Sequence, residues 1–390
     1  MEQQANQRLG SYISHDVGGE VVRAYLPPAL PPIPAVRLDE FQLLFEQANQ
    51  SLGRLDGLAS VLPDLGLFIY AYVRKEAVLS SQIEGTQSSL SDLLLFENDE
   101  APGVPIQDVQ EVLNYVAALN HGLARLRGGF PLSLRLIREI HEVLLSKGRG
   151  STKEPGEFRR SQNWIGGTRP GNAAFVPPPP EHVMECMGEL ETFLHAEHTG
   201  LPPLIRAGLV HVQFESIHPF LDGNGRLGRL LITFLLCAAG ALREPILYLS
   251  LFFKTHRQTY YDLLTRVREK GDWEAWIEFF LSGVKDTSEQ AVGAARQIIT
   301  LHDCDRKKVE ALGRPAATAL RVFQHAQTNP ILSIPMTAQK IGVSFPTVTS
   351  AVNHLQNLGV LREITGKRRR RLFVYDAYLK ILNEGTEPLR

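Results

Sequence analysis

Cysteine is scarce: three residues in 390, at positions 186, 237 and 304, with no CxxC pair among them. That spacing argues against a disulfide framework or a clustered zinc site and fits a reducing compartment. Neither sign of charge dominates, since 41 Lys and Arg face 42 Asp and Glu for a net charge of −1. The molecule as a whole is therefore no electrostatic binder of nucleic acid or membrane, and any such binding must be local. Long apolar runs are also missing. The longest, Leu230–Leu242, has 13 residues, too few to span a bilayer, and reads as a buried helix. No basic segment followed by an apolar one opens the chain, so no signal peptide is expected and cytoplasmic is the default location. What remains is ordinary for a soluble globular chain, with 44% hydrophobic and 21% charged residues. The length exceeds one typical core and implies two or three domains.

Most of the chain has helical periodicity. Residues 1–38 end in the Pro-rich LPPALPPIPAV and read as an extended surface arm. Asp39 is placed to cap a helix in which Phe41, Leu44, Phe45, Ala48 and Leu52 recur at helical spacing. Further helices are expected at Leu65–Leu79, Asn114–Leu126, Ser133–Ser146, Glu181–Ala196 and Pro203–Ile217, at HRQTYYDLLTRVREK and DWEAWIEFFLSGV, and at Ser288–Leu312. Between two of these helices, Lys147–Pro180 is rich in Gly and Pro. Its Gln162–Ile165 and Ala173–Val176 segments are expected to pair as hairpin strands around GGTRPGN. A long loop of this kind inside a compact domain is more often functional than idle. After Arg314 the pattern becomes helix, turn, helix and a two-stranded wing, with Gly342 in the turn and Ser344 capping the second helix. Val348, Ala351, Val352 and Leu355 should face inward there, which suits a winged helix-turn-helix.

The densest chemistry lies in His218–Leu231, HPFLDGNGRLGRLL. Pro219 disfavours helical geometry at His218, so the preceding helix should end there. Gly223-Asn224-Gly225 makes a turn whose backbone N–H groups can converge on an anion at the start of the next helix. Arg226 and Arg229 lie three apart, on one face, where each could grip a further phosphate. Asp222 beside such phosphates is a natural Mg²⁺ ligand. His218 is placed as a general base toward a hydroxyl. A Walker A loop is absent. These parts describe a polyphosphate site on a rigid apolar helix, without deciding which group is transferred.

HPFLDGNGRLGR resembles the Fic family motif HPFx[D/E]GNGRxxR at every defined position. The resemblance runs from roughly Tyr70 to Gly283. It implies a mainly α fold, a Fic helical core with a β-hairpin flap, followed here by the winged-helix domain. The implied division is 1–105 for the arm and N-terminal helical region, 106–285 for the Fic core, 286–313 for a connecting helix and 314–390 for the winged helix-turn-helix. It also implies a protein adenylyltransferase that moves AMP from ATP to a Ser, Thr or Tyr hydroxyl of a target protein, or of itself, and releases pyrophosphate. By the same resemblance His218 deprotonates the hydroxyl and Asp222 holds Mg²⁺. Gly223, Asn224, Gly225 and Arg226 bind the α- and β-phosphates, Arg229 binds the γ-phosphate, and Phe220 anchors the loop. Asn163, Trp164, Ile165, Gly166 and Gly167 would form the flap that holds an extended target segment by strand addition. Tyr260 and Tyr261 would line the adenine pocket.

Ser80-Ser81-Gln82-Ile83-Glu84-Gly85 resembles the inhibitory motif [S/T]xxxE[G/N] of regulated Fic proteins. A Glu84 paired with Arg229 would take the fork that the γ-phosphate needs, with Ser80 helping to hold the helix against the site and Gly85 completing the motif. In some relatives the same Glu aids removal of AMP, and the sequence leaves that second activity open. It also leaves open a homodimer, the target protein, and transfer of UMP or GMP in place of AMP. Lys367–Arg371, KRRRR, sits in the expected wing, and Ser344, Thr347, Thr349, Ser350, Asn353 and His354 sit on its recognition helix. Residues 344–371 could thus meet DNA. A protein-contact module is the favoured reading, and the rival from another class is a DNA-binding regulator whose Fic domain senses nucleotide.

Overall fold

The computed structural model describes residues 8–59, 65–97, 104–196, 200–366 and 371–388. The protein is mainly helical, as expected, and one continuous apolar core runs from Val36 to Leu382. The N-terminal arm, however, is not simply extended. Strands β1 (Ser11–Val17) and β2 (Glu20–Leu26) pair antiparallel, from Ser11 opposite Leu26 to Val17 opposite Glu20, around a Gly18-Gly19 turn. Val22 and Ala24 face inward while their neighbours Val21 and Arg23 stay exposed, the alternation of a half-buried hairpin.

A 3₁₀ turn at Leu38–Phe41 leads into α1 (Gln42–Ala59). Helix α2 (Leu65–Ile83) carries the second motif at its C-terminal end. Helix α3 (Leu90–Phe96) starts at a capping box in which Ser89 and Asp92 satisfy each other's backbone N–H. Helices α4 (Ile106–Arg127) and α5 (Leu134–Leu144) follow, the latter capped by Ser133 as expected. After the Gly/Pro-rich segment come α6 (Pro180–His195), α7 (Pro203–Ile217) and α8 (Asn224–Ala238). Helix α9 (Ser250–Thr255) packs against α2, and α10 (Arg257–Lys270) against α7.

Two expected helices then prove to be one. Helix α11 runs unbroken through 38 residues, Trp273–Glu310, because no Pro or helix-ending Gly separates DWEAWIEFFLSGV from the segment after Ser288. The C-terminal region has α12 (Ala316–Thr328), β3 (Ile331–Ser333), α13 (Ile334–Ile341), α14 (Phe345–Asn357), β4 (Arg362–Glu363), β5 (Leu372–Val374) and α15 (Asp376–Asn383). Gly342 takes the left-handed conformation between α13 and α14. Val348, Ala351, Val352 and Leu355 are buried, as the periodicity predicts. The sheet has three strands in the order β3-β5-β4, where two were expected. Strand β3 has three residues, too few to show alternation. Of the basic run, Lys367 to Arg370 lie outside the described residues.

Candidate active site

The loop sits between two buried helices that hold it from both ends. Helix α7 ends where Pro219 requires: the His218 N–H still bonds the Phe214 carbonyl at 2.9 Å, and His218 itself turns left-handed, φ 49°. A left-handed conformation on a non-Gly residue is sparsely populated and persists only when its surroundings impose it. Arg159 supplies part of that imposition. Its buried guanidinium donates to the carbonyls of Ile217, His218 and Pro178, and its N–H to the Pro219 carbonyl at 2.9 Å. One side chain thus ties the base to the segment that leads into and out of the flap. Burial, with Arg159 adding to it, pushes the His218 pKa down to about 4. The imidazole is therefore neutral near pH 7, the form a general base needs.

Phe220 is fully buried and stacks on His141, ring centroids 3.7 Å apart. His141 accepts the Gly156 N–H at Nδ1, 2.9 Å, so its proton sits on Nε2 and is donated to the Asp222 carbonyl at 3.0 Å. Burial holds this second imidazole neutral too, with its pKa lowered to about 4. Asn224 closes the loop from inside. Its Oδ1 accepts the Phe220 N–H at 2.9 Å and its Nδ2 donates to the Phe220 carbonyl at 2.8 Å. The side chain expected on phosphate is therefore engaged by the loop's own backbone. Its main-chain N–H is not: the N–H groups of Asn224, Gly225 and Arg226 find no acceptor among the described residues. They form the open first turn of α8, the arrangement that binds anions. Gly223, φ 77°, caps that turn, and its N–H is taken by Asp222 Oδ1 at 2.6 Å.

The two arginines do not act as a pair. Arg226 turns to Glu111, Nη1 to Oε2 3.0 Å, both side chains nearly without solvent. Arg149 binds the same carboxylate at 2.9 Å. Arg229 turns the other way. Its Nε donates to Ser80 Oγ at 2.8 Å, and its Nη2 to the Ser80 carbonyl at 3.0 Å and to Glu84 Oε1 at 2.6 Å. Arg229 is 2% exposed and Glu84 35%. Burial opposes the charge on Glu84, but Arg229 outweighs it, aided by Arg226 and His218, and holds the carboxyl below its ordinary pKa. Helix α2 ends one residue before Glu84, with Gly85 at φ 100°. The carboxylate then lies directly over the open turn, and a Cβ at position 225 would come within 2.2 Å of Glu84 Oε1. Glycine is what lets an anion approach this backbone.

The flap is looser than the sequence suggested. Its two expected strands reduce to one bridge, Ile165 with Phe175, paired through both N–H groups at 2.8 and 3.1 Å. A 3₁₀ turn at Pro170–Asn172 and left-handed Gly166 and Gly167 keep the tip from extending the ladder. The backbone groups of Trp164 and Gly166 face no partner among the described residues. Asn163 reaches down to the Phe220 carbonyl at 3.0 Å. On its other side the flap is backed by the N-terminal hairpin, through the Tyr25 N–H to the Val176 carbonyl at 2.9 Å and an Arg169–Glu20 ion pair. The two tyrosines are split. Tyr260 is 1% exposed, its hydroxyl against His211 Nε2 at 2.9 Å inside an aromatic cluster with Phe253 and Trp276. Its place is in the core, and only Tyr261 presents a half-open ring.

Glu111, His141 and Arg159 were missed by the sequence reading. Each stands 59 to 115 residues from its loop partner, and no local pattern marks it. Among the described residues no three His, Cys, Asp or Glu side chains gather as a metal cluster, and no helix is long and apolar enough to cross a membrane. Asp222 is half-exposed beside the open turn, and a hard carboxylate oxygen there suits a cation that takes most of its ligands from phosphates and water.

Fold and site together define a mainly helical protein with an open helix start over which the chain's own Glu84 carboxylate lies. More particularly, the chain has the two domains of the Fic/DOC family: the family's N-terminal domain matches residues 43–124 and the Fic domain residues 131–236. It is 31% identical over 258 residues to a protein of Drosophila yakuba named protein adenylyltransferase Fic, covering 64% of this chain and 48% of that one. It is 33% identical over 268 residues to a protein of the same name from Culex quinquefasciatus, covering 66% and 49%. The chain thus spans about half the length of the curated relatives it matches. Among solved structures, a Fic family protein from Desulfovibrio desulfuricans G20 aligns with TM-score 0.55 at 21% identity, over 85% of this chain and 95% of that one. Fic-1 of C. elegans aligns with TM-score 0.51 at 23% identity, over 66% and 74%. These two show the fold.

Proposed function

We propose that the protein transfers AMP from ATP to a hydroxyl side chain of a protein, and that Glu84 restrains the reaction until it leaves Arg229. The observation that carries this reading is the occupied anion turn. Three unpaired N–H groups and the Arg229 fork converge where a polyphosphate would lie, and a carboxylate already lies there. The relatives' name, protein adenylyltransferase, supports AMP as the group moved.

The chemistry follows from the geometry. The amides of Asn224, Gly225 and Arg226 would hold the α- and β-phosphates, and Arg229, once free, the γ-phosphate. Asp222 would hold Mg²⁺, which supplies charge neutralisation of the phosphates when bound. A target hydroxyl would attack the α-phosphorus while His218 takes its proton. The Pα–O bond to the β-phosphate would break, and pyrophosphate would leave. The open backbone at Trp164 and Gly166 would position the hydroxyl by main-chain pairing, which demands an extended segment and little side-chain sequence. Tyr261, rather than Tyr260, would meet the base. In this scheme 106–285 is the transferring core, and 314–390 is a contact module carried by α11.

The test is incorporation of label from α-³²P-ATP with Mg²⁺ into the protein itself and into a lysate, for wild type, Glu84→Gly and His218→Ala. Expected is strong labelling by Glu84→Gly, weak labelling by wild type and none by His218→Ala. Equal, weak labelling by all three would sink the proposal. Parallel α-labelled UTP and GTP decide the nucleotide, and a salt-sensitive gel shift tests the DNA-binding rival.

A further inference from the structure

Helix α2 carries a second unusual group two turns before Glu84. Lys75 is 4% exposed, and its ammonium has no hydrogen bond or ion pair among the described residues. Its Nζ lies 4.6 Å from the centroid of the Tyr248 ring. Burial lowers the Lys75 pKa to about 8, with the push of Lys254 and against the pull of Glu384 and Glu387. The amine lines a cavity of about 370 Å³, bordered by Tyr248, Leu251, Thr255, Gln290, Gln297 and the Glu384-Gly385 corner of the C-terminal tail.

That corner leads back to the restraining motif. Gly385, φ 79°, lets the tail pass against α9, where a Cβ would come within 2.6 Å of Leu251. The next residue, Thr386, offers its carbonyl to Gln82 Nε2 at 2.8 Å, and Gln82 also bonds the Ser88 carbonyl at 2.9 Å. Lys254 Nζ holds the Gly385 carbonyl at 3.0 Å, and Asn383 bonds Ser91 Oγ at 2.9 Å. Gln82 lies inside the Ser80–Gly85 motif. The wall of the Lys75 cavity is therefore one residue from the segment that holds that motif in place.

We infer that the Lys75 cavity is a binding site for a small oxyanion, a carboxylate or a phosphate, and that its occupation loosens the tail from Gln82. The cavity is of small-metabolite size, and its lining brings the Lys75 side chain together with the amides of Gln290 and Gln297 and the Thr255 hydroxyl. The anion adds negative charge beside Glu384 in the cavity wall, and their repulsion moves the tail whose Thr386 carbonyl holds Gln82. The regulatory half rests on the AMP-transfer reading; the binding half does not.

The experiment uses the full chain without nucleotide, so that binding is read whether or not the protein transfers AMP. Inorganic phosphate and succinate are titrated separately by calorimetry at fixed ionic strength, into wild type and Lys75→Met. Expected is saturable binding of at least one probe by wild type, weakened about tenfold or more in Lys75→Met. Saturation by phosphate alone or succinate alone identifies the source of the oxyanion. No saturation by either probe, or equal binding by the variant, overturns the site. Should Lys75→Met fail to fold, acylation of wild-type Lys75 by acetic anhydride, read by mass spectrometry, decides: protection by the binding probe is expected, and unchanged acylation overturns the site. Hydrogen exchange at 81–88 and 382–387 should rise on saturation, and unchanged exchange overturns the coupling. If binding and exchange respond while no label from ATP is ever incorporated, the fault lies with the AMP-transfer reading and not with the site.

Discussion

Two helix starts in this protein carry clusters of polar residues, and they are built in opposite ways. At α8 nearly every polar side chain is engaged: Asn224 by the Phe220 backbone, Arg226 by Glu111, Arg229 by Ser80 and Glu84. At α14 the polar side chains face solvent and bond only locally, Ser344 to Thr347 and Thr349 to the Phe345 carbonyl. The first cluster is rigid before any ligand arrives, so its free backbone amides stand out as the groups awaiting a partner. The second is an adaptable surface that costs little to change. Apart from the Arg229–Glu84 pair, which must open in the proposed reaction, pre-organisation of this kind is what electrostatic catalysis needs.

The comparison can be broken by experiment, starting where the effect is largest. His218→Ala should lower AMP incorporation by about 10²- to 10⁴-fold, the worth of a positioned base, in a single-turnover assay. Glu111→Ala should strand the Arg226 charge in the core and destabilise the protein by about 3–5 kcal/mol, read as a lowered denaturation midpoint. Glu84→Gly should raise auto-modification by on the order of ten- to a hundredfold, the equivalent of one charge-assisted hydrogen bond. A smaller effect concerns pH. With the His218 pKa depressed to about 4 from the usual 6.5, the imidazole stays an active base as pH falls through 6.5, and kcat/KM should decline only near pH 4. Glu84 raises that pKa, so Glu84→Gly should move the acid limb lower still. An acid limb at 6.5 in both would show a solvated His218. Smallest of all, Ser344→Ala with Thr347→Ala should change stability by less than about 0.5 kcal/mol and leave labelling unchanged. A large change in either would mean that the polar groups of α14 are tied into the fold as tightly as those of α8.

The legibility of the sequence divides along the same line. The 218–229 loop was readable because its logic is local: Pro219 ends a helix, Gly223 caps the next, and the amides follow from helix geometry. The Glu84–Arg229 pair was readable only through resemblance, since it joins residues 145 apart. Glu111, His141 and Arg159 were not readable, because what they do depends on packing and not on neighbours in the chain. The N-terminal hairpin is a different kind of miss. SYISHDVGGEVV contains a Gly-Gly turn between two runs rich in β-formers, but the Pro-rich stretch after it dominated the reading. The single helix α11 was split because a functional boundary was expected where none exists in the backbone.

That unbroken helix has one more consequence. At 1.5 Å per residue its 38 residues run about 57 Å, packed against α1 in the core and against α12 and α15 of the C-terminal region. With no Pro or helix-ending Gly along it, the helix gives the C-terminal region no hinge about which to swing away from the core.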